Sequence, residues 1–183
     1  MLKSHVSALL RSEQRLFHVQ DLAALWQMQN LNTLHTTLSR YCRKGLLFRV
    51  YRGLYSKVPW QYLDALELGA KAIHGFNYLS CESVLVQHGL INAQPAVLSF
   101  VAEKPKVFSI GTYHYRCRQM SAAFLFNPLG VQKQGPIKIA SATRALADMF
   151  YYNPMTHIDG KYNRQKVSEM MSAIGYAQPR YSV

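Results

Sequence analysis

The sequence predicts an α+β protein built in two parts. Three observations predict this class. Helix-like hydrophobic periods in the first third are followed by a short aromatic and β-branched ribbon. In residues 76–183 a series of strand patterns, punctuated by Gly, Pro and Asn, is segregated between helix patterns rather than alternating with them. The second part is therefore expected to hold an antiparallel or mixed sheet.

The charge of the chain is strongly positive and uneven. Its 183 residues contain 21 Lys and Arg against 9 Asp and Glu, a formal net charge of +12. No carboxylate occurs between Leu22 and Leu63, although Lys and Arg recur there. Such a balance favours a nucleic acid or another anionic partner.

Cysteine usage and hydropathy indicate a cytoplasmic location. The three cysteines, Cys42, Cys81 and Cys117, are scattered and form no CxxC pair, which fits a reducing compartment better than a disulfide framework. No segment approaches the roughly 20 apolar residues that cross a bilayer.

Three helices are predicted in the first part. "SHVSALLRSEQ" and "LFHVQDLAALWQ" contain the first two, and "QNLNTLHTTLSRYCRKG" contains the third. Asn32 is the expected N-cap of the third helix, and Gly45 lies where a left-handed residue commonly ends one. The inward stripe is predicted to be Leu34, Leu38, Tyr41 and Cys42.

A two-stranded ribbon follows the third helix. In "LLFRVYRGLYSKV" aromatic and β-branched residues flank Arg52-Gly53, which predicts a tight hairpin turn. The order helix, helix, helix, ribbon is that of a winged helix-turn-helix domain, predicted over residues 1–58. A connecting helix over 59–75 and an α+β domain over 76–183 complete the organisation.

The third helix and the ribbon supply the candidate DNA-binding residues. The outward stripe of the helix is predicted to be Thr33, Thr36, Thr37, Arg40 and Lys44, with His35 near its start and Arg43 less clearly placed. Arg40 can pair with guanine, and hydroxyls can bond phosphates or bases. In the ribbon, Arg49 and Tyr51 share a face by the period of two, and Arg52 lies at the tip. A solvated helix face is the alternative reading.

The second part contains two notable patterns. "AVLSFVA", "KVFSI", "YHYRCR", "AAFLF" and "IKIA" are strand candidates, and "ATRALADMFYY" is a helix on which Arg144 and Asp148 can pair. In "YHYRCR", the residues His114, Arg116 and Arg118 share one face. That face is either a second basic contact or half of an ordinary exposed strand.

Catalytic and metal motifs are not found. The seven histidines show no HxxxH or HExxH spacing, and no GxSxG elbow or Gly-rich phosphate loop occurs. We therefore predict no catalytic residue, no metal site, no cofactor and no enzymatic activity.

Three segments together carry a family resemblance. "RKGLLFRVYRGLYS", "LSCESVLVQHGLI" and "IASATRALADMFYY" resemble the AbiEi family of type IV toxin–antitoxin antitoxins, over roughly residues 18–175. On the matching helix and wing, the DNA-contacting elements of the family carry over to Thr33, Thr36, Thr37, Arg40, Lys44, Arg49 and Arg52. The other motif residues transfer only as fold determinants: Ser80, Glu82, Ser83, His88, Gly89, Arg144 and Asp148.

The resemblance implies a function for each part. The N-terminal domain is expected to bind double-stranded DNA at its own promoter as an autorepressor. The C-terminal domain is expected to counteract a nucleotidyltransferase-like toxin without forming a stable complex. The alternative is a stand-alone winged-helix regulator whose second domain senses a ligand or mediates dimerisation.

Overall fold

The computed structural model describes residues 2–92 and 97–177, and it divides into two compact units after Ala72. The sequence placed domain boundaries at residues 58 and 75. Both units mix helices with β-sheet, as the α+β class requires. No helix in the described ranges is long and apolar enough to cross a lipid bilayer. Ala96, the first residue of the strand candidate "AVLSFVA", lies outside these ranges.

The first unit combines four helices with a small sheet. Its elements are α1 (Leu2–Arg11), β1 (Leu16–His18), α2 (Val19–Leu25), α3 (Leu31–Arg43), β2 (Phe48–Tyr51), β3 (Leu54–Ser56), a 3-10 turn (Trp60–Tyr62) and α4 (Ala65–Ala72). The sheet is antiparallel in the order β1-β3-β2. The residues Leu16–His18 therefore form a third strand of this sheet.

An apolar core centred on two aromatic side chains holds α3 in place. The Trp26 and Tyr41 rings meet edge to face with centroids 5.3 Å apart, a favourable aromatic geometry. The indole Nε1–H donates to the carbonyl oxygen of His5 at 3.1 Å. Around them lie further buried apolar side chains: Leu9, Phe17, Leu22, Leu34, Leu38, Leu47 and Tyr55.

The ends of α3 are set by local hydrogen bonds. The side chain of Asn30, not the predicted Asn32, is the N-cap, and its Oδ1 accepts from the backbone N–H groups of Asn32 and Thr33 at 3.0 and 3.1 Å. Because the capping oxygen comes from an Asn two residues before the predicted one, α3 begins at Leu31. At the other end Gly45 is left-handed with φ +68°, as the sequence predicted.

The second unit is a six-stranded mixed sheet with helices. Its elements are β4 (Asn77–Leu79), α5 (Glu82–Gln87), β5 (Leu98–Ala102), β6 (Lys106–Ile110), β7 (Tyr113–Gln119), α6 (Ala122–Leu125), β8 (Val131–Gln134), β9 (Ile137–Ala140), α7 (Ala142–Tyr152) and α8 (Arg164–Ile174). The strand order is β6-β7-β5-β4-β9-β8. The pairs β4–β9 and β5–β7 are parallel and the others antiparallel, so the predicted sheet is of the mixed kind.

One sequence-based strand assignment in this unit was wrong, and two strands were missed. "AAFLF" forms the short helix α6, whose first residue follows Ser121. Strands β4 and β8 were missed, because "NYL" is only three residues long and "VQKQ" is almost entirely polar. Neither carries the alternation or the length on which strand prediction depends.

A buried ion pair lies between α7 and the sheet. Arg144 Nε donates to Asp148 Oδ1 at 2.8 Å, and both side chains are fully buried, which confirms the predicted pairing. The second carboxylate oxygen, Oδ2, accepts from Ser80 Oγ at 2.7 Å, and Oδ1 also accepts from Tyr176 OH at 2.7 Å. Burial and the Asp148 carboxylate both raise the pKa of Tyr176, so its phenol stays protonated and able to donate.

The remaining donors of Arg144 bind a turn and the sheet. Nη1 donates to the carbonyl oxygens of Asn127 and Leu129 at 3.1 and 2.8 Å, and Nη2 donates to Tyr78 OH at 2.8 Å and to the Phe124 carbonyl at 3.3 Å. Burial alone would lower the pKa of Arg144. The Asp148 carboxylate, Tyr78 and Tyr176 together outweigh that effect and raise the pKa, so the guanidinium stays charged.

Replacing Asp148 with alanine is expected to destabilise the second unit by about 3–5 kcal/mol, because it leaves a buried guanidinium without its counter-charge. The measurement is urea unfolding followed by circular dichroism. The control is Glu169→Ala on the exposed face of α8, where Glu169 only accepts a hydrogen bond from Gln165 and a change within about 0.5 kcal/mol is expected. An unchanged unfolding midpoint for Asp148→Ala would show that the pair does not hold this unit together.

Candidate nucleic-acid interface

The exposed face of α3 is polar and basic. Asn32, Thr36, Ser39 and Arg43 are all exposed. They are spaced by four, three and four residues, so they lie along one line on the helix surface. We call these four residues the outer stripe. Its side chains supply amide, hydroxyl and guanidinium groups, which are the groups that contact base edges and phosphates.

The outer stripe lies roughly a quarter turn away from the stripe that the sequence predicted. Thr37 was placed outward but is only 5% exposed and belongs to the inward face. Cys42, which was placed inward, is half-buried and packs against the core of the unit. The methyl group of Thr37 allows it to take an inward position, so the buried face is rotated toward Thr37. Asn32 and Ser39 were therefore missed as surface residues.

The other predicted helix residues lie beside the outer stripe. Thr33 and Lys44 are exposed and Arg40 is half-buried, all on one flank, whereas the exposed His35 lies on the flank that faces the hairpin. The Arg40 guanidinium carbon is 5.8 Å from the centre of the Tyr41 ring. That contact draws Arg40 toward the core. Arg43, whose orientation the sequence did not predict clearly, is exposed and belongs to the outer stripe.

The ribbon is a hairpin, with Arg52 and Gly53 forming the turn between β2 and β3 as predicted. A β-bulge lies between Arg49 and Tyr51, since Arg49 pairs with Tyr55 while Tyr51 pairs with Leu54. The extra residue breaks the period of two from which a shared face for Arg49 and Tyr51 was predicted. Arg49 and Arg52 are exposed, whereas Tyr51 is half-buried.

Not every basic residue of this region faces outward. Lys57 Nζ donates to the carbonyl oxygen of Ser12, just past the end of α1, at 2.5 Å. A lysine at a helix C-terminus satisfies carbonyl groups that lack a partner within the helix. Lys57 therefore belongs to the fold of the first unit rather than to its charged face.

A cleft of about 390 Å³ separates α3 from the hairpin. Basic and polar residues from both elements line it, over a floor that includes Val19 and Tyr55: His35, Ser39, Cys42, Arg43, Arg49 and Gly53. Burial raises the pKa of the Cys42 thiol and that of the Tyr55 phenol, so both groups are neutral at pH 7. The positive charge of the cleft therefore comes from Arg43 and Arg49 without compensation by a thiolate.

In the second unit, the motif residues are structural. Ser83 Oγ accepts from the Ser99 backbone N–H at 2.7 Å, and Glu82 pairs with Arg118 of the basic strand. The N-cap of α5 is Cys81, which has φ +54° and makes no side-chain cap, while Ser80 instead bonds Asp148. His88 is exposed past the end of α5.

The predicted alternation of "YHYRCR" is confirmed in strand β7. Tyr115 and Cys117 are buried, while His114 and Arg116 are exposed. Ser109 Oγ and His114 Nδ1 are 2.8 Å apart across the β6–β7 pair. Because Arg118 is paired with Glu82, only two residues of the predicted basic face, His114 and Arg116, remain exposed on it.

No protein-family model matches this chain, and no curated protein matches it. Within residues 2–92 and 97–177 no group of three or more His, Cys, Asp or Glu side chains can hold a metal ion. The exposed α3 face and the hairpin both carry exposed arginines, and Arg43 and Arg49 line the cleft between them.

An aspartate introduced at Thr37 is expected to destabilise the first unit by about 3 kcal/mol or more, because the position is buried and the new carboxylate would lose its hydration. The same aspartate at the exposed Thr36 should change the free energy of unfolding by about 0.5 kcal/mol. Thermal unfolding of the two variants measures the difference. Equal destabilisation would contradict the assigned orientation of α3.

Proposed function

We propose that this chain is a DNA-binding antitoxin that represses its own operon through the first unit, a winged helix-turn-helix in which α3 is the recognition helix and the hairpin is the wing. The observation that carries the proposal is that Ser39 and Arg43 of the outer stripe line one cleft together with Arg49 of the hairpin. No carboxylate occurs between Leu22 and Leu63 to oppose a polyanion there.

The groups on α3 match the requirements for reading bases in the major groove. An Asn side chain can bond adenine N6 and N7, and an Arg can bond guanine O6 and N7. Asn32 lies in the first turn of α3 and Arg43 in its last turn, so we assign base reading to the outer stripe. Thr36 Oγ1 already donates to the Asn32 carbonyl at 2.9 Å, which leaves its lone pairs for acceptance only.

The hairpin has the groups for contacts to the DNA backbone. Arg49 and Arg52 are exposed, and Arg49 lines the cleft between the hairpin and α3. Contacts to phosphate position a protein on the duplex without reading sequence. The wing is therefore assigned to phosphate contact, and His35 and Lys44 to the flanks of the same surface.

Duplex DNA from the chain's own promoter tests this division of roles. Arg49→Ala should weaken binding to all sequences and lower the salt slope by about 1, because one phosphate contact is lost. Asn32→Ala should instead reduce discrimination between the promoter and a scrambled duplex, by about 1–3 kcal/mol. Titrations over a range of salt concentrations measure both effects.

The matched control for these variants is Arg11→Ala, which removes an exposed arginine from the end of α1. This change should leave both the salt slope and the discrimination as in the parent. The proposed surface is wrong if Arg49→Ala and Arg11→Ala have the same salt slope as the parent chain.

Cys42 provides a chemical footprint of the same cleft. It is half-exposed, whereas Cys81 and Cys117 are buried, and burial raises the pKa of Cys117 to about 11. Because the thiolate is the reactive form, the two buried cysteines should react slowly with N-ethylmaleimide in the folded protein. Promoter DNA should protect Cys42 from modification, as measured by mass spectrometry of the intact chain. Undiminished labelling of Cys42 in saturating DNA would count against DNA in the cleft.

The antitoxin role rests on the resemblance of the "LSCESVLVQHGLI" and "IASATRALADMFYY" segments to AbiEi-family antitoxins. We propose that the second unit counteracts a nucleotidyltransferase-type toxin and is not itself an enzyme. Co-expression with a nucleotidyltransferase encoded beside this gene tests it, with growth as the readout. The full chain and its Arg43→Ala variant should both restore growth, because Arg43 lies outside the second unit. Growth arrest with both chains would contradict the antitoxin role, and it would not affect the proposal that the first unit binds DNA.

A second candidate function is a stand-alone regulator whose second unit senses a ligand. A cavity of about 490 Å³ favours it, formed by the segments 73–75 and 102–106. Its lining includes Lys104 and Lys106, which suits a small anionic ligand. Promoter affinity that changes on addition of such a ligand, together with no rescue of growth, would favour this candidate.

A further inference from the structure

A second acid-free stretch lies in the second unit. From Lys104 to Ala147 the sequence contains no Asp or Glu and seven Lys or Arg residues. Two of the seven are neutralised in the structure, because Arg118 pairs with Glu82 and Arg144 pairs with Asp148. The remaining five are Lys104, Lys106, Arg116, Lys133 and Lys138.

Two of these lysines lie directly opposite each other on the β8–β9 pair. Lys133 and Lys138 are register partners, and both are exposed. Like charges in this position destabilise an antiparallel pair. Neither lysine forms a salt bridge within the part of the chain that the structure describes. An anion that binds both ammonium groups would relieve the repulsion.

Aromatic rings adjoin the same lysines. Lys138 Nζ is 4.6 Å from the centre of the Phe76 ring. The Phe76 ring in turn contacts that of Phe126, with centroids 5.2 Å apart. Phe126 is 55% exposed, which is unusual for a residue of this size. Phe76, Phe126, Lys133 and Lys138 are called the lysine–aromatic patch.

The backbone on both sides of Phe126 is held by hydrogen bonds from Arg144. Arg144 donates to the carbonyl oxygens of Phe124, Asn127 and Leu129, on both sides of Phe126. A ring fixed at the surface loses little conformational entropy when a ligand packs against it. The exposure of Phe126 is therefore built into the fold rather than left by a loose loop.

We propose that the lysine–aromatic patch binds single-stranded nucleic acid, with a base stacked on Phe126 and the backbone phosphates held by Lys133 and Lys138. Exposed aromatic rings beside basic side chains are the combination that binds single strands, since every base has a face that can stack. A duplex keeps its bases paired and stacked, so it would use the lysines but leave Phe126 without a partner. An acidic protein segment would likewise leave the ring unused.

The experiment measures binding of a fluorescent short oligouridylate and of the matching oligothymidylate to the full chain, over a range of salt concentrations. Phe126→Ala should weaken binding about tenfold with an unchanged salt slope, because stacking involves no counterion. Lys133→Gln with Lys138→Gln should instead lower the salt slope by about 1.4, the value for two phosphates of a single strand. Phe126→Tyr should restore affinity.

Matched controls come from the same unit. Met155→Ala removes another exposed apolar side chain, and Lys161→Gln with Lys166→Gln removes two other exposed lysines. None of these should change affinity or salt slope. Phe126→Ala should also leave binding to promoter duplex unchanged, and Arg43→Ala should leave oligouridylate binding unchanged, so the two proposed surfaces fail or succeed separately.

Three results would overturn the proposal. In the first, the Phe126→Ala variant and the double lysine variant bind oligouridylate as tightly as the parent chain does. The second is equal competition by a duplex of the same length, and the third is equal competition by oligoglutamate, which would assign the patch to an acidic protein. Tighter binding of oligouridylate than of oligothymidylate identifies RNA as the ligand, and equal binding identifies single strands of either sugar.

Discussion

The second unit depends on one buried charge, the guanidinium of Arg144. An arginine without access to water must have its N–H groups satisfied by protein acceptors. Here those acceptors come from α7 itself, from the end of α6 and the turn after it, and from the phenol of Tyr78 in β4. Such a pair adds little net stability over a well-packed apolar alternative, yet the arrangement of its partners excludes other packings of the same elements. The helix, the turn and the sheet are thus fixed relative to one another by a single side chain.

The first unit is organised in a different way, around an apolar core. Trp26 and Tyr41 decide which side of α3 is buried, and the polar side follows from that choice. The two units therefore obtain their charged surfaces by different routes. In the first, the exposed face of α3 carries the outer stripe and lies beside a hairpin that contains a β-bulge. In the second, a buried arginine fixes the turn that carries Phe126, and a like-charged strand pair lies next to it.

The sequence predicted the elements of this chain better than the orientation of their side chains. The helices of the first unit, the hairpin turn and the Arg144–Asp148 pair follow from periodicity, turn chemistry and i,i+4 spacing. Thr37 was placed outward because it is small and of intermediate polarity, so only tertiary packing decides that it is buried. The bulge after Arg49 has no signal in the sequence, and it undid the face predicted for Tyr51. The lysine–aromatic patch brings together positions 76, 126, 133 and 138, which only the strand order makes neighbours.

One backbone contact of the first unit links the tip of the hairpin to a helix. The N–H of Val19, the first residue of α2, donates to the carbonyl oxygen of Gly53 at 3.1 Å. The tip is therefore tied at its turn as well as along its strands, and it cannot swing without disturbing the start of α2. A hairpin anchored at both ends moves as part of the unit and not as a separate flap. Its arginines are consequently carried on a hairpin whose position relative to α2 is fixed.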